Sequence, residues 1–307
     1  MCWLTLRFRE KEHVKKVLRL GASWHSPALD NFEQLAHTYK EMGFSAAVCP
    51  IVEPKKIEEL RRAFADEDVV LAEVGAYGHN IIDPNEEQRQ KNIEFIKGRL
   101  RYAEEVGALC CVMHGGWVGT GGFSSGGAGN FSKEAFDKIV SAVQQILDEV
   151  EPENTKLVVE TESDVLPDGP EEYLQLVKAV NRPSFRAHFD PVNIITSPRR
   201  YHFNGEFLRK CFSLLGPFIV SCHAKDVWYA NDEKYYPVVR IDEVVPPGRG
   251  KLDYRTYLRE VSKLEPSPPL IMEHLPGKKE AVEGRDFLFR IADEVGVSFL
   301  YCEREKH

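Results

Sequence analysis

Residues 218–226 read FIVSCHAKD. An apolar run suited to a buried strand passes without a break into a histidine, a lysine and an aspartate. A strand running out into solvent would read this way, and so would a functional site at a strand's C-terminal end. The rest of the chain decides between them.

Seven more short apolar runs lie at 17–23, 44–49, 69–74, 109–114, 156–161, 185–189 and 269–273, which with 218–222 makes eight. None alternates polar with apolar residues, as expected of parallel strands covered on both faces. Between them the spacing turns helical, at 31–42 with Asp30 as the expected N-cap, at Glu86–Val106 closed by Gly107, and at 132–150, Pro170–Val180, 206–215, 254–264 and 280–295. Strand and helix alternate along the whole chain, which implies βαβ units with right-handed crossovers. Eight such units in about 280 residues predict a closed (β/α)8 TIM barrel, an α/β fold in a single domain. The barrel is expected over residues 17–307, behind an N-terminal arm at 1–16. An open doubly wound sheet would bring a glycine-rich phosphate turn after its first strand, and no such motif is present.

The bulk composition agrees with an enclosed core. The 307 residues are 43% hydrophobic, and 48 acidic against 40 basic side chains leave a net charge of -8, which argues against a broad nucleic-acid footprint. Seven cysteines are scattered, never as C-x-x-C, and several sit inside apolar runs, which suits a reducing compartment. The N-terminal stretch MCWLTLRFREKEHVKKV lacks the apolar core of a secretory signal, and no run is long enough to span a bilayer. A cytoplasmic protein without membrane contact is expected.

Barrel chemistry sits where strands end. Those ends carry Trp24 and His25; Glu73 with Tyr77 and His79; His114; Glu160 and Glu162; His188, Asp190 and Asn193; His223, Lys225 and Asp226; and Glu273 with His274. Glu160, Asp190, His223 and Glu273 come from four consecutive strands. Carboxylates gathered at the ends of apolar strands repel one another unless a cation lies between them. Three hard oxygen donors and one imidazole suit a single divalent ion, Mn, Mg or Co before Zn.

Taken in order, the segments VMHGG (112–116), VVE (158–160), FDPVN (189–193), HAKD (223–226), PPGRG (246–250) and IMEH (271–274) resemble the xylose-isomerase-like TIM barrel superfamily. That group comprises sugar isomerases and epimerases together with AP-endonuclease-type members, and the resemblance runs over about residues 17–295. It implies one divalent metal held by Glu160, Asp190, His223 and Glu273. It also implies catalysis by Glu160 and Glu273, which move protons on a small ketose or keto-polyol through a metal-stabilised enediolate. His188 and Lys225 would hold substrate oxygens, His114 would do the same or support the site, and Asn193 would face the substrate. Three departures bear on the substrate. Asn193 stands where ketose epimerases of this family carry histidine, Leu166 where they carry a second glutamate, and VWYANDEKYYPVV (227–239) where they carry an arginine. A dehydratase or lyase acting on a keto-sugar or keto-inositol is therefore the alternative. A phosphodiesterase of the AP-endonuclease kind would need more histidines and basic loops, and a non-catalytic sugar-binding barrel would need to have lost the metal. The expected partner is a small carbohydrate; family members are often dimers or tetramers, which makes a homo-oligomer possible, but no interface can be read from the sequence.

Other signals weigh less. Glu162 would face the same way as Glu160, in a supporting or capping role. Cys222 should point into the helix layer. The glycine-rich stretch 115–130 contains a G-x-S-x-G match some ten residues past its strand, too far for a nucleophile elbow, and is expected to be a mobile loop over the site. The aromatic stretches YHFNGEF (201–207) and VWYANDEKYY (227–236) could cover the strand ends.

Overall fold

A computed structural model describes residues 16–23, 31–230, 238–240 and 246–301. Trp24, His25, Asp30, almost all of the N-terminal arm and the middle of the 227–239 segment lie outside these residues. The eight barrel strands are β1 (Leu20–Ala22), β2 (Ala46–Val48), β3 (Val70–Gly75), β4 (Cys110–Met113), β5 (Lys156–Glu160), β6 (Phe185–Phe189), β7 (Ile219–Ala224) and β8 (Leu270–Met272). They pair in chain order, all parallel, and β8 closes on both β1 and β7. This is the expected TIM barrel.

Nine helices are described: α1 (Phe32–Glu41), α2 (Ile57–Asp66), α3 (Glu86–Val106), α4 (Lys133–Val150), α5 (Pro170–Val180), α6 (Pro198–His202), α7 (Asn204–Leu215), α8 (Tyr254–Ser262) and α9 (Lys278–Glu294). Their apolar faces pack on the outward sides of the strands in one large core that includes Phe32, Leu100, Ile139, Phe189 and Leu288. The barrel interior holds two small clusters, Ala46 with Ala72 and Ile271, and Cys110 with Val112 and Val158. Small side chains there leave room above them for polar groups.

Local details follow from residue chemistry. Gly107 closes α3 at φ 75, as its position predicts. The cap of α1 is Asn31, whose side chain accepts from the Gln34 amide, and not Asp30. The run read as one strand at 17–23 is two pieces. Val17–Leu18 pairs in parallel with Ser298–Phe299 and ties the two described ends of the chain together, while Leu20–Ala22 enters the barrel.

One irregularity shapes the barrel interior. Along the β2–β3 pairing Ala47 faces Leu71, and then Val48 faces Glu73, so Ala72 is an extra residue on β3. In a regular strand Ala72 and Glu73 would face opposite sides. The bulge brings both inward, Ala72 onto Ala46 and Ile271 and Glu73 onto polar groups across the barrel.

Candidate metal centre

Glu160 ends β5, Asp190 follows β6, His223 lies within β7, and Glu273 follows β8. Their side chains converge. His223 Nδ1 lies 3.1 Å from Glu160 Oε1, 3.2 Å from Glu273 Oε1 and 3.5 Å from Asp190 Oδ2. The four donor atoms all fall within 4.8 Å of one another.

The surrounding chain holds each group in place. Asp190 Oδ1 accepts from the amides of Val192 (2.9 Å) and Asn193 (3.4 Å), which turns Oδ2 toward the centre. Thr161 Oγ1 donates to the Asp190 carbonyl at 2.8 Å and clamps the tops of β5 and β6 together. From α8, Tyr257 donates to the His223 carbonyl and Tyr254 to the Lys225 carbonyl, each at 2.8 Å. Asp226 accepts from the amides of Val227, Gly248 and Leu252, each at 2.9 Å, and so folds the PPGRG segment against the site. At Gly250 a Cβ would lie 2.3 Å from Asp226 Oδ1, so only glycine fits.

The charges are uneven. Burial raises the Glu160 carboxyl above its ordinary range and pushes Glu162 up to about 8. Burial would raise Glu273 too, but the His223 and Lys225 cations outweigh it and hold that group well below the usual carboxylate range. Burial alone would lower His223, yet Glu273, Glu73 and Glu160 together raise it well above an ordinary histidine. His114 and His188 are pushed down to about 4, chiefly by burial. Carboxyl groups outnumber cations here, and Asp190 Oδ2 is buried without an aligned hydrogen-bond donor, its polar neighbours being the Lys225 ammonium at 2.8 Å and His223 Nδ1 at 3.5 Å. Hard oxygens, one imidazole and surplus negative charge fit a divalent cation bound by Glu160, Asp190, His223 and Glu273.

The remaining expected residues take distinct places. Lys225 Nζ sits 2.8 Å from Asp190 Oδ2 and 2.5 Å from Glu273 Oε1. Asn193 donates to Glu160 at 3.2 Å and to Glu162 at 3.3 Å. His114 Nε2 lies 3.6 Å from Glu162, and these two form a second acidic group with Glu160. His188, expected to hold a substrate oxygen, is fully enclosed, with its ring edge-on to His223 at 4.1 Å.

Two strand-end residues outside the expected ligand and substrate set also reach the centre. Glu162 shares Asn193 with Glu160, on the side of the strand that its spacing had suggested. Glu73 meets His223 Nε2 at 3.2 Å from across the barrel, a contact that only the bulge makes possible. A cavity of about 360 Å³ opens onto Glu73, His223 and Glu273, with Val48, Ile51 and Tyr77 in its wall. That volume lies in the range of small-molecule sites.

The glycine-rich stretch is more structured than a free loop. It forms two short 3-10 turns within Phe123–Phe131, kinked at Gly127, and Asn130 ties Val118, Phe123 and Asp164 together through their backbones. Phe123 meets His114 edge-on at 4.6 Å, beside the site. YHFNGEF forms the corner between α6 and α7. Cys222 is fully buried in the helix-side core, as its position predicts. Among the described residues no helix is long and apolar enough to cross a membrane.

The family model described as xylose isomerase-like TIM barrel matches residues 36–291. No curated protein sequence matches at a significant level. Solved structures do. A D-tagatose 3-epimerase-like protein aligns with a TM-score of 0.68 and 21% identity, covering 91% of this chain and 98% of that one. A xylose isomerase-like TIM barrel protein from Mycobacterium smegmatis, in complex with magnesium, aligns at 0.64 and 15%, covering 91% and 98%. Endonuclease IV from Thermus thermophilus aligns at 0.69 and 13%, covering 90% and 99%. At these identities the structural likenesses establish the fold and leave the reaction to the residues.

Proposed function

The chain belongs to the xylose isomerase-like TIM barrel family, and on that premise we propose that it is a divalent-metal-dependent isomerase or epimerase of a small ketose or keto-polyol. One observation carries this assignment, the convergence of Glu160, Asp190 and Glu273 on Nδ1 of His223. A bound Mn, Mg or Co ion would polarise adjacent carbonyl and hydroxyl oxygens and make the C–H bond between them acidic.

The protein's own groups do the rest. Glu273 and Glu160 reach the centre from β8 and β5, three strands apart, and so approach a bound carbon from different sides. Glu273 and Glu160 serve as base and acid, one taking the proton and the other returning one to the same carbon or to its neighbour. Lys225, Asn193 and His114 stand where substrate oxygens would lie. Val48 and Ile51 line the cavity beside these groups and give it an apolar side.

Dehydration of a keto-sugar or keto-inositol is the second assignment, and Glu162 favours it. Its carboxyl, raised to about 8 by burial, keeps a proton at neutral pH that could be given to a departing hydroxyl. Proton NMR in D2O separates the two. The enzyme would be loaded with Mn, Mg or Co and incubated with a panel of ketoses and keto-inositols. Isomerisation or epimerisation places solvent deuterium on carbon without loss of water, and dehydration yields an unsaturated ketone. Neither exchange nor conversion across the panel would overturn both.

A further inference from the structure

Strands β3 and β7 lie opposite each other in the eight-stranded ring. A side chain on one reaches the other only through the barrel interior. Glu73 does so, because the bulge at Ala72 turns it inward. Its Oε1 accepts from Ser221 Oγ on β7, and its Oε2 lies 3.2 Å from His223 Nε2. The group is 2% exposed, so it is not a surface carboxylate that happens to be nearby.

Burying a carboxylate at the centre of a barrel is costly unless its partners repay it. A chain needing only to fill this space would do better with an apolar residue like its neighbours Ala72 and Ile271. The partners explain the acid. An imidazole carries one ring proton when neutral, and the group bonded to one nitrogen decides what the other presents. Nδ1 of His223 faces Glu160, Asp190 and Glu273, and Nε2 faces Glu73.

We propose that Glu73 is a positioning residue: it accepts the Nε2 proton of His223 from across the barrel and so fixes the ring with the Nδ1 lone pair aimed at the cation site. Ser221 is its anchor. By binding Oε1, Ser221 leaves Oε2 for His223, and His188, edge-on to His223 and 3.5 Å from Glu73 Oε1, closes the remaining side. This rests on the assignment of Glu160, Asp190, His223 and Glu273 as a metal centre.

The test is Co²⁺ titration of chelator-treated, full-length protein, followed by calorimetry and by the visible spectrum of the bound ion, for the parent, E73L, E73Q and S221A. Removing a carboxylate that orients a metal-ligating histidine typically weakens metal binding by about 10–100-fold, and that loss with a changed spectrum is expected for E73L. E73Q, whose amide oxygen can still accept from Nε2, should recover most of the affinity. S221A keeps the carboxylate and should weaken binding by a smaller factor; it serves as the reading if E73L does not fold. Parent-like affinity and spectrum in E73L, or in S221A should E73L not fold, would show that Glu73 only fills space and would overturn the proposal. A parent that binds no Co²⁺ would instead remove the metal centre on which it rests.

Discussion

The ammonium of Lys225 lies 2.8 Å from Asp190 Oδ2 and 2.5 Å from Glu273 Oε1, so it shares two of the three carboxylate oxygens that converge on His223. The site thus carries a resident monovalent cation at the edge of the place a divalent one would occupy. At an effective dielectric near 20, unit like charges 4 Å apart repel by roughly 4 kcal/mol. Lys225→Met is therefore expected to tighten divalent metal binding by at least about tenfold while abolishing turnover, since the substrate loses a cationic contact. Mn²⁺ calorimetry and an activity assay on the same preparation check this. Equal or weaker metal binding would mean that Lys225 swings clear when the metal arrives.

Away from the mouth, Glu104 on α3 accepts from the Asn154 backbone and side chain at 3.0 and 2.9 Å and from the Thr155 amide at 2.8 Å. Burial alone would raise its pKa, but these bonds outweigh it and lower the value. A carboxylate with a depressed folded-state pKa adds stability above its unfolded pKa and loses it as pH falls through the folded one. Glu104→Gln should therefore cost about 1 kcal/mol at neutral pH. The gap from the parent should close under acid, as read from urea midpoints at successive pH values. A gap constant down to the lowest pH would rule out the charge as its source.

Asn130 sits at the centre of the glycine-rich stretch, bonded to Val118 N (2.9 Å), Phe123 O (2.6 Å) and Asp164 O (2.9 Å). Asn130→Ala removes all three and is expected to cost about 2 kcal/mol. Because Phe123 leans on His114, KM should rise more than kcat falls. An unchanged urea midpoint would show that the stretch holds its shape without Asn130.

The sequence was most readable where one physical rule acted alone. Strands covered on both faces must be apolar throughout, so all eight barrel strands stood out, and the polar residues at their ends could be lined up with the barrel mouth. Glu160, Asp190, His223 and Glu273 came together because each sits at or near such an end. Where two rules competed, the reading was less complete. Helix α2 shows only Ile57, Leu60, Ala63 and Phe64 as a buried face amid dense charge, and it was not anticipated. Glu73 was visible as a strand-end residue, but its partner was not, because a bulge is set by pairing with the next strand and not by spacing along its own. The cap of α1 moved by one residue, from Asp30 to Asn31, as two capping residues in a row allow.

The metal centre proposed at Glu160, Asp190, His223 and Glu273 is tested most directly by metal content. Protein stripped with chelator would be reloaded with Mn²⁺ and dialysed, beside a Glu160→Ala, Glu273→Ala double variant treated identically. About one manganese per parent chain and almost none in the folded variant is the predicted result. A parent that retains no metal, or a variant that retains as much as the parent, would contradict the assignment.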